Sequence, residues 1–283
     1  MKFEWFIGID ISKKTLDFDV HHEAKSMLNQ QVENSRKGIN SLLSSCKKMN
    51  VDFEKTLFCL EHTGIYNELL VDMLCNKKMN VWVEQGIHVK RSLGLQRGKT
   101  DKVDAFRLSE YAFRFQDKCK IWKAPSTSIK ELKNLTTLRA RLIKARKLLK
   151  VPVNELVGSG SNKKSTNVIF RLNKPVLDRL KVQIKAVENQ IEEVIKKDER
   201  LLELEELVTS VDGVGPVTAR AIIIATNQFQ AISDGRKFAC YAGVVPFSYQ
   251  SGTSINGKPR VSHFADKNIK QLLHLSALSA TVM

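Results

Sequence analysis

FEWFIGIDI over residues 3–11 is apolar and β-branched, and KTLDFDVHH over 14–22 alternates apolar with polar positions. The pair predicts a buried strand and a second strand joined in a hairpin. NQQVEN predicts a third strand, KGINSLLSSCKKM a helix, KTLFCLEHTG a buried strand, IYNELLVDMLCNKKM a helix and NVWVEQ another strand. TDKVDAFRLSEYAFRF then predicts an amphipathic helix opened by a cap-like Thr100.

Further on, apolar residues fall at Leu135, Leu138, Leu142, Ala145 and Leu149, and again at Leu177, Leu180, Ile184, Val187, Ile191 and Val194. Both series step by three and four, as an a/d coiled-coil seam does. VGSGSNKKSTN, residues 157–167, predicts a turn between them, so residues 125–208 read as two long helices, either folded as a hairpin or joined to a second subunit. From residue 207, LVTSVDGVGPVTARAIIIATN has the pattern of a helix-hairpin-helix whose Gly213 and Gly215 turn backbone N–H groups toward a phosphate. Any tight turn between helices also favours glycine. KFACYAGVVPFSYQ, a polar SGTSINGKPR stretch and a last helix, DKNIKQLLHLSALSA, complete the chain.

Three opening strands followed by alternating helix and strand fit an RNase H-like α/β sheet better than a Rossmann domain, which alternates from the start. The expected division is an N-terminal domain over residues 1–120, a long helical coiled-coil middle over 121–206 and a mostly α C-terminal domain over 207–283.

Charge narrows the function. The 283 residues carry 46 Lys and Arg against 30 Asp and Glu, a net +16 with a pI near 9.6. Such an excess favours a polyanionic partner, because neutralising phosphates releases counterions. Residues 120–200 hold 20 Lys and Arg against 8 Asp and Glu, so +12 of the +16 lies there. The five cysteines are scattered without a C-x-x-C pair, as expected of free thiols in a reducing cytoplasm. The N-terminus lacks the features of a secretion signal, and no apolar run approaches the roughly 20 residues of a membrane span.

Against this basic background four acids stand out. Asp10 ends the apolar run of the first strand and Glu61 ends that of the fourth, so in an RNase H-like sheet the two meet on adjacent strands. Asp101 and Asp104 lie three apart near a helix start, on one face. Each has a plainer reading alone, as a turn former or a solvated helix start. Together they form a candidate site for one or two Mg²⁺ ions, whose hard charge calls for oxygen ligands. Asp17, Asp19, Asp52, Glu54 and Glu68 read as surface acids. Arg97, Lys99 and Lys102 flank the acid pair as candidate phosphate contacts, and Lys258 and Arg260 are further candidates in the C-terminal segment. Ser251 lies in YQSGTSINGK, which reads as a mobile loop, and nothing local activates its hydroxyl.

On these residues the chain resembles the insertion-sequence transposases of the IS110 type, also called DEDD transposases, and the related Piv-type DNA invertases. FIGIDISKKTLD, LEHTGIY and GKTDKVDA carry the resemblance in the first half. LVTSVDGVGPVTARAII, YAGVVPFSYQSGTS and VSHFADKNIKQLLH carry it in the second. The resemblance implies that Asp10, Glu61, Asp101 and Asp104 form the Mg²⁺ site of a RuvC-like domain. It also implies that Ser251, with Ser254 as runner-up, attacks the DNA backbone to give a phosphoserine intermediate. A structured non-coding bridge RNA pairing with donor and target DNA, and an oligomer of at least two chains, are implied as partners. Relatives generally continue some tens of residues past the last helix, so a shortened C-terminal domain is also expected. Two other readings remain: a RuvC-like metal-dependent endonuclease in which Ser251 is only a loop residue, and a non-catalytic nucleic-acid-binding protein.

Overall fold

A computed structural model describes residues 3–92, 94, 100–158, 163–252 and 255–282. At the centre of the first half lies β1 (Trp5–Ile11), antiparallel to β2 (Thr15–His22), which is in turn antiparallel to β3 (Lys25–Glu33). After α1 (Arg36–Lys48), β4 (Thr56–Glu61) pairs parallel to β1 on its other side. Following α2 (Glu68–Asn76), β5 (Asn80–Glu84) pairs parallel to β4, giving a mixed sheet in the order β3-β2-β1-β4-β5. Two helices follow, α3 (Gly86–Ser92) and α4 (Asp101–Arg114). The sequence pattern did not foresee α3, and β3 begins earlier than NQQVEN.

Side chains alternate across a strand, so each strand serves two cores. Ile7, Ile9, Leu16, Phe18, Phe58 and Leu60 pack with Ile39 and Leu42 of α1 and Leu70 and Leu74 of α2. On the opposite face Phe6, Leu57, Cys59 and Trp82 pack with Leu108, Tyr111 and Ala112 of α4. The same alternation puts Gly8 and Asp10 with Phe6, and Glu61 with Cys59, on the α4 face. It also overturns the reading of Asp17 and Asp19 as surface acids. They occupy the α4 face of β2 and are 2% and 0% exposed. Gln31 donates to both oxygens of Asp17, while Ser26, Asn29 and Ser109 donate to Asp19. Such bonding is what permits a carboxylate to be buried.

Residues 1–124 form one compact unit and residues 125–283 a second. In the second, α5 (Thr127–Gly158) and α6 (Lys163–Lys197) pack on each other within the chain. The helical span of α6 includes Lys163–Asn167, which the glycine-serine pattern had assigned to a turn. Ile184, Val187, Ile191 and Val194 are buried along the expected stripe, whereas Leu138 is 43% exposed. Ile129 and Leu132 near the start of α5 join Val187, Ile191 and Val194 near the end of α6, together with α7 (Glu199–Thr209) and α8 (Pro216–Ala225), in one core. Arg220 of α8 is nearly buried and donates to Glu192 of α6 and Glu205 of α7. Arg220→Ala strands the largely enclosed Glu205 carboxylate, whose side chain is 12% exposed, and is expected to cost about 3 kcal/mol. Glu192 is half exposed, and Glu192→Gln is expected to cost less than about 1 kcal/mol. Thermal melting of the two variants checks the contrast.

The chain continues through α9 (Gly235–Ala242), β6 (Pro246–Ser251), β7 (Ile255–Val261) and α10 (Lys267–Val282). β6 and β7 form an antiparallel hairpin that the sequence reading had left as a polar loop. Ser251 is therefore the last residue of a strand, paired with Ile255, and not part of a mobile loop. No helix among the described residues is long and apolar enough to cross a membrane.

Candidate active site

The parallel register of β1 and β4 sets Ile9 beside Leu60, so the next residues along, Asp10 and Glu61, leave the sheet side by side at its carboxyl edge. Over that edge lies the start of α4. Thr100 caps it, accepting from the Val103 N–H at 3.3 Å, and Asp101 and Asp104 occupy the first turn. Carboxylates there meet the positive end of the helix dipole.

Gly8 fixes the distance between strand and helix. A Cβ at this position would collide with the Ala105 carbonyl oxygen and the Ser109 nitrogen, so the backbone of α4 rests directly on β1. Two residues beyond this contact on β1 is Asp10, and one turn before it on α4 are Asp101 and Asp104. Gly86 makes room for the other acid: a Cβ there would fall 2.5 Å from Glu61 Oε2.

Asp10 feels the other three acids. The Asp10 carboxyl is raised from 3.8 to about 6, first by burial and then by the negative charges of Asp101, Asp104 and Glu61, against a hydrogen bond from the Ile11 backbone. Because the folded value lies above the unfolded one, the proton stabilises the fold below about 4, and that contribution is lost as pH rises through 6. The metal-free protein should therefore gain stability relative to Asp10→Asn as pH falls from 7 to 4.5, which parallel melts will measure. Asp104 is held at 2.8 Å by Arg107, and Asp101 is exposed at the helix start. Among the described residues no three acids, histidines or cysteines close around one point as a ready-made metal cage. The convergence is thus electrostatic proximity along one edge. Its donor set is four carboxylates, hard oxygen ligands whose charge on Asp10 a divalent cation would offset.

A fifth acid escaped the sequence reading. Glu84 ends β5 in register with Glu61, on the α4 face. Its carboxylate accepts from Tyr111 Oη at 3.3 Å and lies 2.9 Å from His88 Nδ1, while its carbonyl accepts from the His62 N–H. The run NVWVE closes on an acid just as LFCLE does, and that repeated ending was the available signal. Glu84 ties β5 to α4 through Tyr111.

The remaining candidates separate. Lys102 is exposed, and its carbonyl accepts from Asn29 at 3.0 Å. Arg97, Lys99 and Ser254 lie outside the described residues, and Ser251 is placed only by its backbone. Lys258 and Arg260 are exposed on β7, two apart. Gly213 has φ +79°, and a Cβ there would meet the α10 backbone at Ser276 and Ala280. Helix packing already requires this glycine, whereas Gly215 borders open space.

Two family descriptions cover most of the chain. Residues 7–157 match the DEDD-type IS110 transposase model and residues 205–283 match the transposase IS116/IS110/IS902 family. These define a transposase by class. More narrowly, the chain belongs to the IS110 transposase family. It is similar to the pilin gene-inverting proteins of Moraxella bovis, 25% identical over 96% of this chain and 82% of the relative, and of Moraxella lacunata, 24% identical over the same shares. A probable family 20 transposase of Pseudomonas aeruginosa is 30% identical over 30% of this chain and 24% of its own length. Among solved structures, Thermus thermophilus RuvC overlaps with a TM-score of 0.32 at 13% identity, covering 42% of this chain and 99% of that one.

Proposed function

We propose that this transposase cuts and rejoins DNA through a phosphoserine intermediate, with Mg²⁺ held by Asp10, Glu61, Asp101 and Asp104 in an RNase H-like, RuvC-like domain over residues 1–120. The observation that carries this reading is the placement of Asp10 and Glu61 at neighbouring strand ends beneath the first turn of α4, where Asp101 and Asp104 lie. The sheet order, antiparallel across the first three strands and parallel thereafter, supports it. Mg²⁺ bound there would draw charge from a phosphate and favour an alkoxide over a hydroxyl.

The chain's own residues supply the rest. Asp10 and Glu61 hold charge at the sheet edge, and Gly8 sets the height of Asp101 and Asp104 above it. Lys102, with Arg97 and Lys99, provides cations for phosphate oxygens. Ser251 is the nucleophile: its oxygen bonds to the scissile phosphorus, the 3′ oxygen leaves, and the hydroxyl proton passes to solvent. The phosphodiester's energy is retained for strand exchange, so ATP is not required. Gly213, Gly215, Lys258 and Arg260 contribute to the nucleic-acid surface of the C-terminal domain, residues 207–283. The basic middle, residues 121–206, takes a bridge RNA, and two or more chains bring serine and acids together.

Ser251→Ala tests the chemistry. Loss of cleavage together with loss of an SDS-resistant protein–DNA adduct is the expected result. Retained Mg²⁺-dependent cutting would make the protein a hydrolytic nuclease instead, and adduct formation lost only in Ser254→Ala would move the nucleophile by three residues.

A further inference from the structure

The hairpin of β6 and β7 is a ribbon open to water along both strands: residues 246–250 are exposed on one, and Asn256, Lys258, Pro259 and Arg260 on the other. We propose that Phe247 and Tyr249 on this ribbon form a platform for unpaired bases of the DNA strand whose phosphate Ser251 attacks, with Arg260 beside them on the phosphates. The inference rests on the reading of Ser251 as the nucleophile, and it adds that the DNA is single-stranded at the point of attack.

Register decides which residues share a face. Phe247 pairs with Arg260 and Tyr249 with Gly257, so the extra residue lies on β7 and β6 keeps its alternation. Phe247, Tyr249 and Arg260 therefore project from one side, the two aromatic residues about 7 Å apart along the strand. A Cβ at Gly257 would lie 3.2 Å from the Tyr249 ring, so the glycine gives that ring room to lie across the ribbon. Tyr249 is still 67% exposed and Phe247 49% exposed. Neither belongs to a buried cluster among the described residues.

Charge narrows the occupant. Between Asp234 and Asp266 the chain carries Arg236, Lys237, Lys258 and Arg260 and no acid, a local +4. Exposed rings set among cations, with no carboxylate nearby, match a polyanion that also has flat apolar faces, which is what a nucleic-acid strand offers. In a duplex each base face is covered by its neighbour roughly 3.4 Å away. Only an unpaired, unstacked base can give its face to an aromatic side chain. Ser251 ends β6 two residues beyond Tyr249, again about 7 Å along the strand. A base stacked on Tyr249 is therefore at or next to the nucleotide whose phosphate meets Ser251. Stacking of this kind accepts any base, since every base has a π face.

The test uses the full chain in EDTA with fluorescein-labelled probes of equal length, read by anisotropy: oligo-dT, an abasic strand with the same phosphates, and a duplex. Tyr249→Ala is expected to weaken oligo-dT by about tenfold and to leave the abasic strand and the duplex unchanged. Tyr249→Trp keeps a ring and should bind oligo-dT at least as tightly as the parent. Arg260→Gln should weaken binding of every probe and flatten its dependence on salt. No loss on oligo-dT in Tyr249→Ala, or an equal loss on the abasic strand or the duplex, would overturn the proposal. So would competition in which oligo-rU displaces the probe about tenfold better than oligo-dT does, the mark of an RNA site. Should Tyr249→Ala fail to fold, the unaltered chain decides. Long-wavelength irradiation with 5-iodouracil in the strand should attach it to Tyr249 or Phe247, and attachment only elsewhere would refute the platform. Binding in EDTA involves no cutting, so a failed stacking test leaves Ser251 standing as the nucleophile. Cleavage retained in Ser251→Ala, in turn, leaves the stacking measurable.

Discussion

Asp10→Asn should abolish DNA cleavage while making the metal-free protein more stable. On the proposed function, removing one charge from the sheet edge would deprive a divalent cation of a ligand that it would share with Glu61, Asp101 and Asp104. Lewis-acid stabilisation of a phosphoryl transition state is worth several kcal/mol, so a loss of about 10³-fold in rate is expected. The same substitution removes a charge that burial, and then repulsion from the other acids, disfavours enough to raise the Asp10 carboxyl to about 6, and at pH 7 the variant should melt higher than the parent. Opposite signs for activity and stability mark a residue kept for chemistry. Gel assays in Mg²⁺ and thermal melts at pH 7 measure the two together. Lower stability with unaltered cleavage would assign Asp10 a structural role.

Gly8→Ala is expected to be the single methyl in the first unit that most directly disturbs the candidate site. The added carbon meets the Ala105 carbonyl and the Ser109 nitrogen, backbone atoms that cannot rotate away, and the Leu108 carbonyl carbon at 2.8 Å. The helix must lift or the strand must bend, at a cost near the upper end of overpacking, about 3 kcal/mol. Displacing α4 also displaces Asp101 and Asp104, and an error of about 1 Å in such a group typically costs on the order of 10²-fold in rate. Gly86→Ala is the control. Its Cβ meets only the Glu61 carboxylate, a flexible end, so activity should fall with little change in melting temperature. Gly235→Ala has open space and should be nearly silent. A Gly8→Ala protein that melts and cuts like the parent would show that strand and helix are not held at this contact.

Much of the sheet was legible because buried strands write themselves as unbroken apolar runs. FIGID and LFCLE each close on an acid, one residue before the end of β1 and at the end of β4, so Asp10 and Glu61 came forward together. Thr100, Asp101 and Asp104 were legible as a helix start for the same local reason. What remained hidden depends on the partner across the sheet. Asp17 and Asp19 alternate with Leu16, Phe18 and Val20 as in a strand with a wet face, and only α4, some eighty residues later, makes that face dry. Glu84 was obscured because its significance lies in register with Glu61 and in the Tyr111 hydroxyl. In the second unit Ser251 read as loop because SGTSINGK is rich in turn formers, yet cross-strand pairing to Ile255 makes it a strand end. Long-range pairing of this kind leaves little trace in local composition.

The claim on which the account rests is that Asp10, Glu61, Asp101 and Asp104 bind a cation jointly. Electron paramagnetic resonance of Mn²⁺ titrated into the full chain measures this directly, since free Mn²⁺ gives a sharp signal that binding removes. Saturable binding that disappears in both Asp10→Asn and Glu61→Gln, and persists in the remote Asp117→Asn, is the predicted result. Binding undiminished in the first two variants would contradict it.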